Sequence, residues 1–304
     1  MNYIPMDDKD VLPKPYEPEW EKLKSATSES HFSEASFYLL REAAQLVAAI
    51  AGLKPHTPIT ARDDAVLLGL VVKVAKVMKG ILRDASDGEV EQQLSMFREF
   101  LEAIANLLWL MHDDGSGSRF SMFVEAGLGA EKSMLATIAK NVEERGGETL
   151  HIEKRMIASI TDTLKAAGIE DISEIRSGKE LARQGFPKIE QRVEELGEIA
   201  YFAYRGSSAS VHTTWSDIFK HHLEYDGTEF GPDMNPPRRR PQALTTLSAV
   251  ICSILPEYIN RMFDDDDIKR RILPLLEGLR ERTAKLTEAH EEYLAKKGEP
   301  KTSL

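Results

Sequence analysis

Apolar residues recur along most of this chain at alternating steps of three and four. The clearest run is Leu94, Phe97, Leu101, Ile104, Leu108 and Met111, one face of a helix that ends at HDDGSGS. Upstream, SEASFYLLREAAQLVAAIAGL predicts a helix that stops before Lys54-Pro55, and a second opens near Thr60 and carries VLLGLVVKVAKVMKGIL to Asp87-Gly88. Downstream, helices are predicted over Ser118 to Glu144 and over Glu148 to Ala167. SGKELARQGFP then reads as a short helix and a loop, broken by Gly185 and Pro187. A helix from Ile189 leads into YRGSSASVHTTW, where Gly206 reads as a helix break or start with Ser207 or Ser208 as N-cap. The pattern resumes through Trp215, Ile218, Phe219 and Leu223.

The one long stretch without helical pattern is HLEYDGTEFGPDMNPPRRRP, an irregular loop near 224–241 in which Asp226-Gly227 suits a small hairpin. Two last helices follow, Gln242 to Phe263 and Ile268 to about Lys297, and Pro256 and Pro274 are expected to kink or divide them. Asp264 to Asp267 sit where a helix start favours negative charge. Prolines 13, 15 and 18 predict an extended N-terminal arm over residues 1–30. The fold class is therefore all-α: a single large helical bundle over 31–300, with no repeat of fixed period.

Composition agrees with that reading and narrows the chemistry. The 304 residues are 42% hydrophobic and 29% charged, enough to bury a sizeable core. A net charge of -11 disfavours bulk, charge-driven binding to nucleic acid or anionic membrane, although a local basic pocket is compatible with it. Cys252 is the sole cysteine, which excludes an intrachain disulfide and suits a cytoplasmic location. MNYIPMDDKDV lacks a basic segment followed by an apolar run, so no secretory signal is read there. The longest apolar window, Ala65 to Leu82, is interrupted by Lys73, Lys76 and Lys79 and fits a core helix better than a membrane span.

Candidate chemistry is sparse. No P-loop, dinucleotide fingerprint or GxSxG elbow occurs, and no cofactor is expected. Asp217 and His221 form an i,i+4 pair but lack further ligands, so no metal site is expected; PPRRRP, Pro236 to Pro241, is a short basic loop. Arg205 and His212 are seven residues apart, two turns along a continuous helix, with Ser208 between them and Tyr201, Tyr204, Trp215 and Phe219 bordering. Arg98 and Glu102 stand four apart beside the apolar seam of their helix. Two roles fit these residues. His212 can exchange protons near neutral pH while Arg205 holds a phosphate; or the cluster is an interhelical polar network, or binds a small anion or a partner protein.

Taken in order, FREFLEAIANLLWLMHDD, SRFSMFVEAG and YRGSSASVHTTW resemble a family of uncharacterised all-helical microbial proteins, in which an R-x3-E helix precedes a Y-R-x2-S-x3-H element. The likeness runs from Phe37 to Leu223 and places Arg98 and Glu102 in the first element, Tyr204, Arg205, Ser208 and His212 in the second. More remotely, Arg205 and His212 fit the longest R-x(4–6)-H spacing of HEPN ribonucleases, all-α proteins of toxin and defence systems, with Gly206 where a polar residue usually follows the arginine. That resemblance implies metal-independent RNA cleavage at a local site, in a homodimer. His212 would be the acid or base and Arg205 the phosphate stabiliser, with Tyr204, Ser208, Arg98 and Glu102 orienting them.

Overall fold

The computed structural model describes residues 12–53, 61–87, 90–212, 214–234 and 240–298. The first eleven residues, the Lys54-Pro55 stop, the helix start near Thr60, the Gly88 break and most of the PPRRRP loop lie outside the described residues.

Long amphipathic helices build the main core: α2 (Ser30–Gly52), α3 (Arg62–Asp87), α4 (Val90–Met111), α11 (Pro241–Met262) and α12 (Asp266–Lys297). In α3, Leu67, Val71, Val74, Met78 and Ile81 are buried while Lys73, Lys76 and Lys79 face out, so the lysines mark the solvent side of a core helix. Helix α4 buries Phe97, Leu101, Ile104, Leu108 and Met111 of the predicted seam, and Phe100, Ala105 and Leu107 as well. It is enclosed because α3 packs on one side and α8 (Ile189–Glu194) and α9 (Glu198–Val211) on another. Each large apolar side chain so covered contributes about 1.5–3 kcal/mol. Helix α2 completes the core against α3, α11 and α12.

Among the described residues, α11 alone is long and apolar enough to cross a membrane. Most of its apolar window is covered by the protein, against α2 and α12. Neither Pro256 nor Pro274 divides its helix; α11 and α12 run through both positions. A proline removes one i to i−4 bond, and the packed turns on either side keep the segment helical across the gap.

Residues 12–30 are not wholly extended. A short α1 (Trp20–Lys24) forms where Leu23 is buried, and it packs on α12. The Tyr16 amide donates to Glu42 Oε2 at 2.7 Å, and the same carboxylate takes a bidentate pair from Arg282 at 2.7 and 2.8 Å.

Helix α5 (Ser118–Glu144) pairs with α6 (His151–Ala167) and touches α7 (Gly178–Arg183), around a second, smaller cluster of Leu128, Ile160, Leu164 and Ile175. After α10 (Trp215–His221) a two-stranded hairpin forms, β1 (Leu223–Tyr225) and β2 (Phe230–Pro232), with Tyr225 opposite Phe230. Its turn is capped by Asp226, whose Oδ1 accepts from the amides of Glu229 and Thr228 and from the Thr228 hydroxyl; these bonds hold the carboxyl down at about 2. Asp265 caps α12 by accepting from the Asp267 amide, so the acidic run serves the helix start.

Candidate polar site between two helices

The site begins with the geometry of α4. Arg98, Glu102 and Asn106 follow at four-residue steps and form a polar stripe along the edge that meets α8 and α9. On the facing helix, α9 starts after Gly197, which has φ +100° and ψ 166°, a region that residues with a Cβ rarely enter. From there it continues unbroken through Gly206 to Val211. This corrects the expected break at Gly206 with Ser207 or Ser208 as N-cap. Both serine hydroxyls instead donate back to the Tyr204 carbonyl, each at 2.9 Å, a bond that lets serine sit inside a helix. A single glycine costs about 1 kcal/mol there, too little to end a helix packed on α4.

Four of the six predicted residues meet. Arg98 Nε donates to Glu102 Oε1 at 2.9 Å, Arg98 Nη2 to Tyr204 Oη at 3.2 Å, and Arg98 Nη1 contacts His212 Nε2 at 3.1 Å. The guanidinium lies 5.1 Å from the Tyr204 ring centre, and the tyrosine hydroxyl reaches Glu102 Oε1 at a long 3.5 Å. Tyr204 is buried; Arg98 and Glu102 are half-buried; His212 is exposed. Arg98 is therefore the hub, a donor fork that joins α4 to the end of α9.

Electrostatics follow from these contacts. The hydrogen bond to Glu102 pushes the Arg98 guanidinium above its ordinary value, so it remains a cation. Burial raises the Tyr204 phenol; the Glu102 charge acts in the same direction and the Arg98 charge opposes both. Because arginine only donates, Nε2 of His212 must accept, which assigns the ring proton to Nδ1.

The other two predicted residues stand apart from the hub. Arg205 is exposed, and its Nη1 donates to the Tyr201 hydroxyl at a long 3.5 Å. Ser208 spends its hydroxyl on the backbone. His212 is the C-cap of α9 with φ −103° and ψ 7°, so it has left the helical path on which a two-turn spacing would align it with Arg205. Just beyond, Trp215, Phe219, Phe230 and Tyr225 form an interlocked and largely exposed aromatic surface, with Trp215 and Phe219 rings stacked at 5.7 Å.

Two polar residues at this seam were passed over in the sequence, Asn106 on the stripe and Arg192 on α8. Asn106 Oδ1 accepts from Arg192 Nη1, and Arg192 of α8 is buried between Trp109 and Phe186 at 5.6 and 4.8 Å. Burial lowers the Arg192 guanidinium. The available signal was spacing: Asn106 lies one turn beyond Glu102 on the same edge.

The candidate metal pair is also rearranged. Asp217 Oδ2 lies 3.7 Å from Nε2 of His222, not from His221, because α10 ends at His221 and His222 turns back at the C-cap. Among the described residues, no group of three or more His, Cys, Asp or Glu side chains could hold a metal ion.

Residues 64–230 match the model of a family of unknown function, DUF5677, over more than half of the chain. The chain belongs to that family. The matched stretch runs from the first turn of α3 to the first residue of β2 and thus holds Arg98, Glu102, Asn106, Arg192, Tyr204 and His212. No curated protein and no solved structure matches the chain.

Proposed function

We propose that this DUF5677 protein is a metal-independent RNA endonuclease of HEPN type, with His212 as the proton-transfer group. One observation carries the reading. His212 is an exposed histidine whose ring is fixed from behind by a half-buried arginine, which is itself held by Glu102 and Tyr204. An oriented imidazole at the surface is what general base catalysis requires. Arg205, exposed on the same helix, is available for a phosphate. The aromatic surface of Trp215, Phe219 and Phe230 offers faces on which unpaired bases stack, and supports a single-stranded substrate.

In the resting arrangement Arg98 occupies the basic nitrogen of His212. An RNA phosphate that takes Arg98 Nη1 releases Nε2, which then removes the proton of the adjacent 2′-hydroxyl. The 2′-oxygen forms a bond to phosphorus as the bond to the 5′-oxygen breaks, and the leaving oxygen takes a proton from the imidazolium or from water. The products are a 2′,3′-cyclic phosphate and a 5′-hydroxyl. Arg98 would stabilise the added charge on that phosphate, and Arg205, which stands apart from the hub, would hold a neighbouring phosphate of the same strand.

The second reading, a noncatalytic fastener between α4 and α9, is favoured by the same Arg98–His212 bond. Two measurements separate them. Purified protein is incubated with unstructured and structured RNA, with and without chelator, beside His212→Ala, and both proteins are melted. Cleavage that survives chelator, disappears in His212→Ala and leaves stability within about 0.5 kcal/mol supports the nuclease. Absence of cleavage, with a loss above about 1 kcal/mol in the variant, supports the fastener.

A further inference from the structure

A second feature lies further along the same polar edge of α4, at Asn106. Between α4, α5, α6 and α8 is a pocket of about 420 Å³, within the range of small-molecule sites. Its apolar wall includes Phe123, Leu128 and Phe186, and its polar groups include Asn106, Glu131 and Arg192.

Two of those polar groups hold a buried atom with no hydrogen-bond partner. Arg192 is only 7% exposed, yet among the described residues no carboxylate stands within ion-pair distance of it. Its Nη1 donates to the neutral Asn106 amide oxygen, and its Nε has no acceptor. The flanking Trp109 and Phe186 rings offset part of the cost of burying the cation, but neither accepts an N–H in the plane of the guanidinium. Glu131 presents a buried Oε2 with no donor. A buried polar atom left without a partner is expensive, and here one on a buried cation and one on a half-buried carboxylate line one pocket without pairing with each other.

We propose that this pocket binds a small aminocarboxylate with an apolar body, its carboxylate held by Arg192 and Asn106 and its amino group by Glu131. A simple anion would satisfy Arg192 and face the Glu131 carboxylate; a simple amine would do the reverse. A ligand that carries both groups on an apolar frame meets both demands and covers Phe123, Leu128 and Phe186. The inference is independent of RNA cleavage, since binding is measured directly.

The test is calorimetric titration of the full chain with three probes: L-phenylalanine, whose charges are adjacent; 4-aminobenzoate, whose amine lies across the ring; and benzoate, which has no amine. At least one of the first two should bind, and benzoate about tenfold or more weakly than it. Glu131→Gln and Arg192→Met should each weaken that probe about tenfold or more. Because Arg192 is buried and its variant can fail to fold, Gly127→Leu serves as the second test. A Cβ at Gly127 meets no atom within 4 Å, and leucine is a better helix former, so this variant should stay folded while its side chain fills the pocket and abolishes binding. Failure of both aminocarboxylates to bind the wild type overturns the proposal. So does benzoate binding as tight as either, or binding that folded Glu131→Gln and Gly127→Leu leave unchanged.

Discussion

Arg98 Nη1 and His212 Nε2 lie 3.1 Å apart across 114 positions of sequence, and the bond between them fixes the histidine tautomer. The nitrogen resonances of His212 should therefore show Nε2 unprotonated and the proton on Nδ1 at neutral pH. Arg98→Met should release that preference. Equal populations of both tautomers in the wild type would mean that the bond is not held in solution.

Arg98 also serves Glu102 and the buried Tyr204, so its loss is felt beyond the histidine. Arg98→Met removes a cation that makes three side-chain contacts and leaves the tyrosine hydroxyl without its donor. A loss of about 1–3 kcal/mol is expected in urea unfolding, with m unchanged. His212 is exposed, and Arg98 can turn to water when His212 is truncated. That difference between the two ends of one bond is what the paired variants measure; equal losses from Arg98→Met and His212→Ala contradict it.

The most buried ion pair in the described residues joins α2 to α12. Glu42 and Arg282 side chains are 3% and 11% exposed, and the carboxylate also accepts from the Tyr16 amide. Removing the cation alone leaves a buried carboxylate, so Arg282→Met should cost about 3–5 kcal/mol by chemical denaturation. Replacing both, Glu42→Leu with Arg282→Met, should recover much of that loss, since each charge is costly only without the other. A double variant no more stable than Arg282→Met would show that packing around Arg282, not charge, dominates.

The periodic helices were legible because one physical term dictates them. A seam such as Leu94 to Met111 demands a partner along its whole length, and α4 buries all of it except the half-covered Leu94. Short-range signals misled wherever tertiary packing outweighed them. Gly206-Ser207-Ser208 has the composition of a helix start, yet the segment stays helical because Tyr204 is anchored on α4 and the serines bond backward. Gly197, with no distinctive neighbours, is where the chain actually turns. The pairing of Arg98 with Glu102 could be read from spacing; its meeting with Tyr204 and His212 depends on the α4–α9 crossing, which periodicity does not specify. Arg192 was invisible for the same reason, since a lone arginine on a six-residue helix carries no mark of what it will face.

Gly197 offers a direct test of that turn. At φ +100° and ψ 166° a side chain is strained even though open space surrounds the position. Gly197→Ala should lose about 1–3 kcal/mol, and it should also weaken the Arg98–His212 bond by shifting the start of α9. The tautomer measurement on this variant reads the second effect. A neutral substitution would place the α8–α9 corner in another conformation.

Cys252 supplies a reporter for the core itself. The thiol is buried on α11, and burial pushes it up to about 12 from 9.0. The native protein should therefore resist thiol reagents at pH 8, and one thiol per chain should react on unfolding. The sign of the linked pH effect follows from which state ionises first. Above about pH 9 the unfolded chain loses this proton while the folded chain keeps it, so stability is complete below that pH. It falls by up to about 1.4 kcal/mol per pH unit as the pH rises toward 12. Buried Tyr258, also raised to about 12, contributes in the same direction and is present in both proteins when wild type and Cys252→Ala are compared. The variant should show a shallower alkaline decline. An identical slope, or rapid labelling of the native thiol, would mean that α11 opens locally far more often than the global unfolding of its core requires.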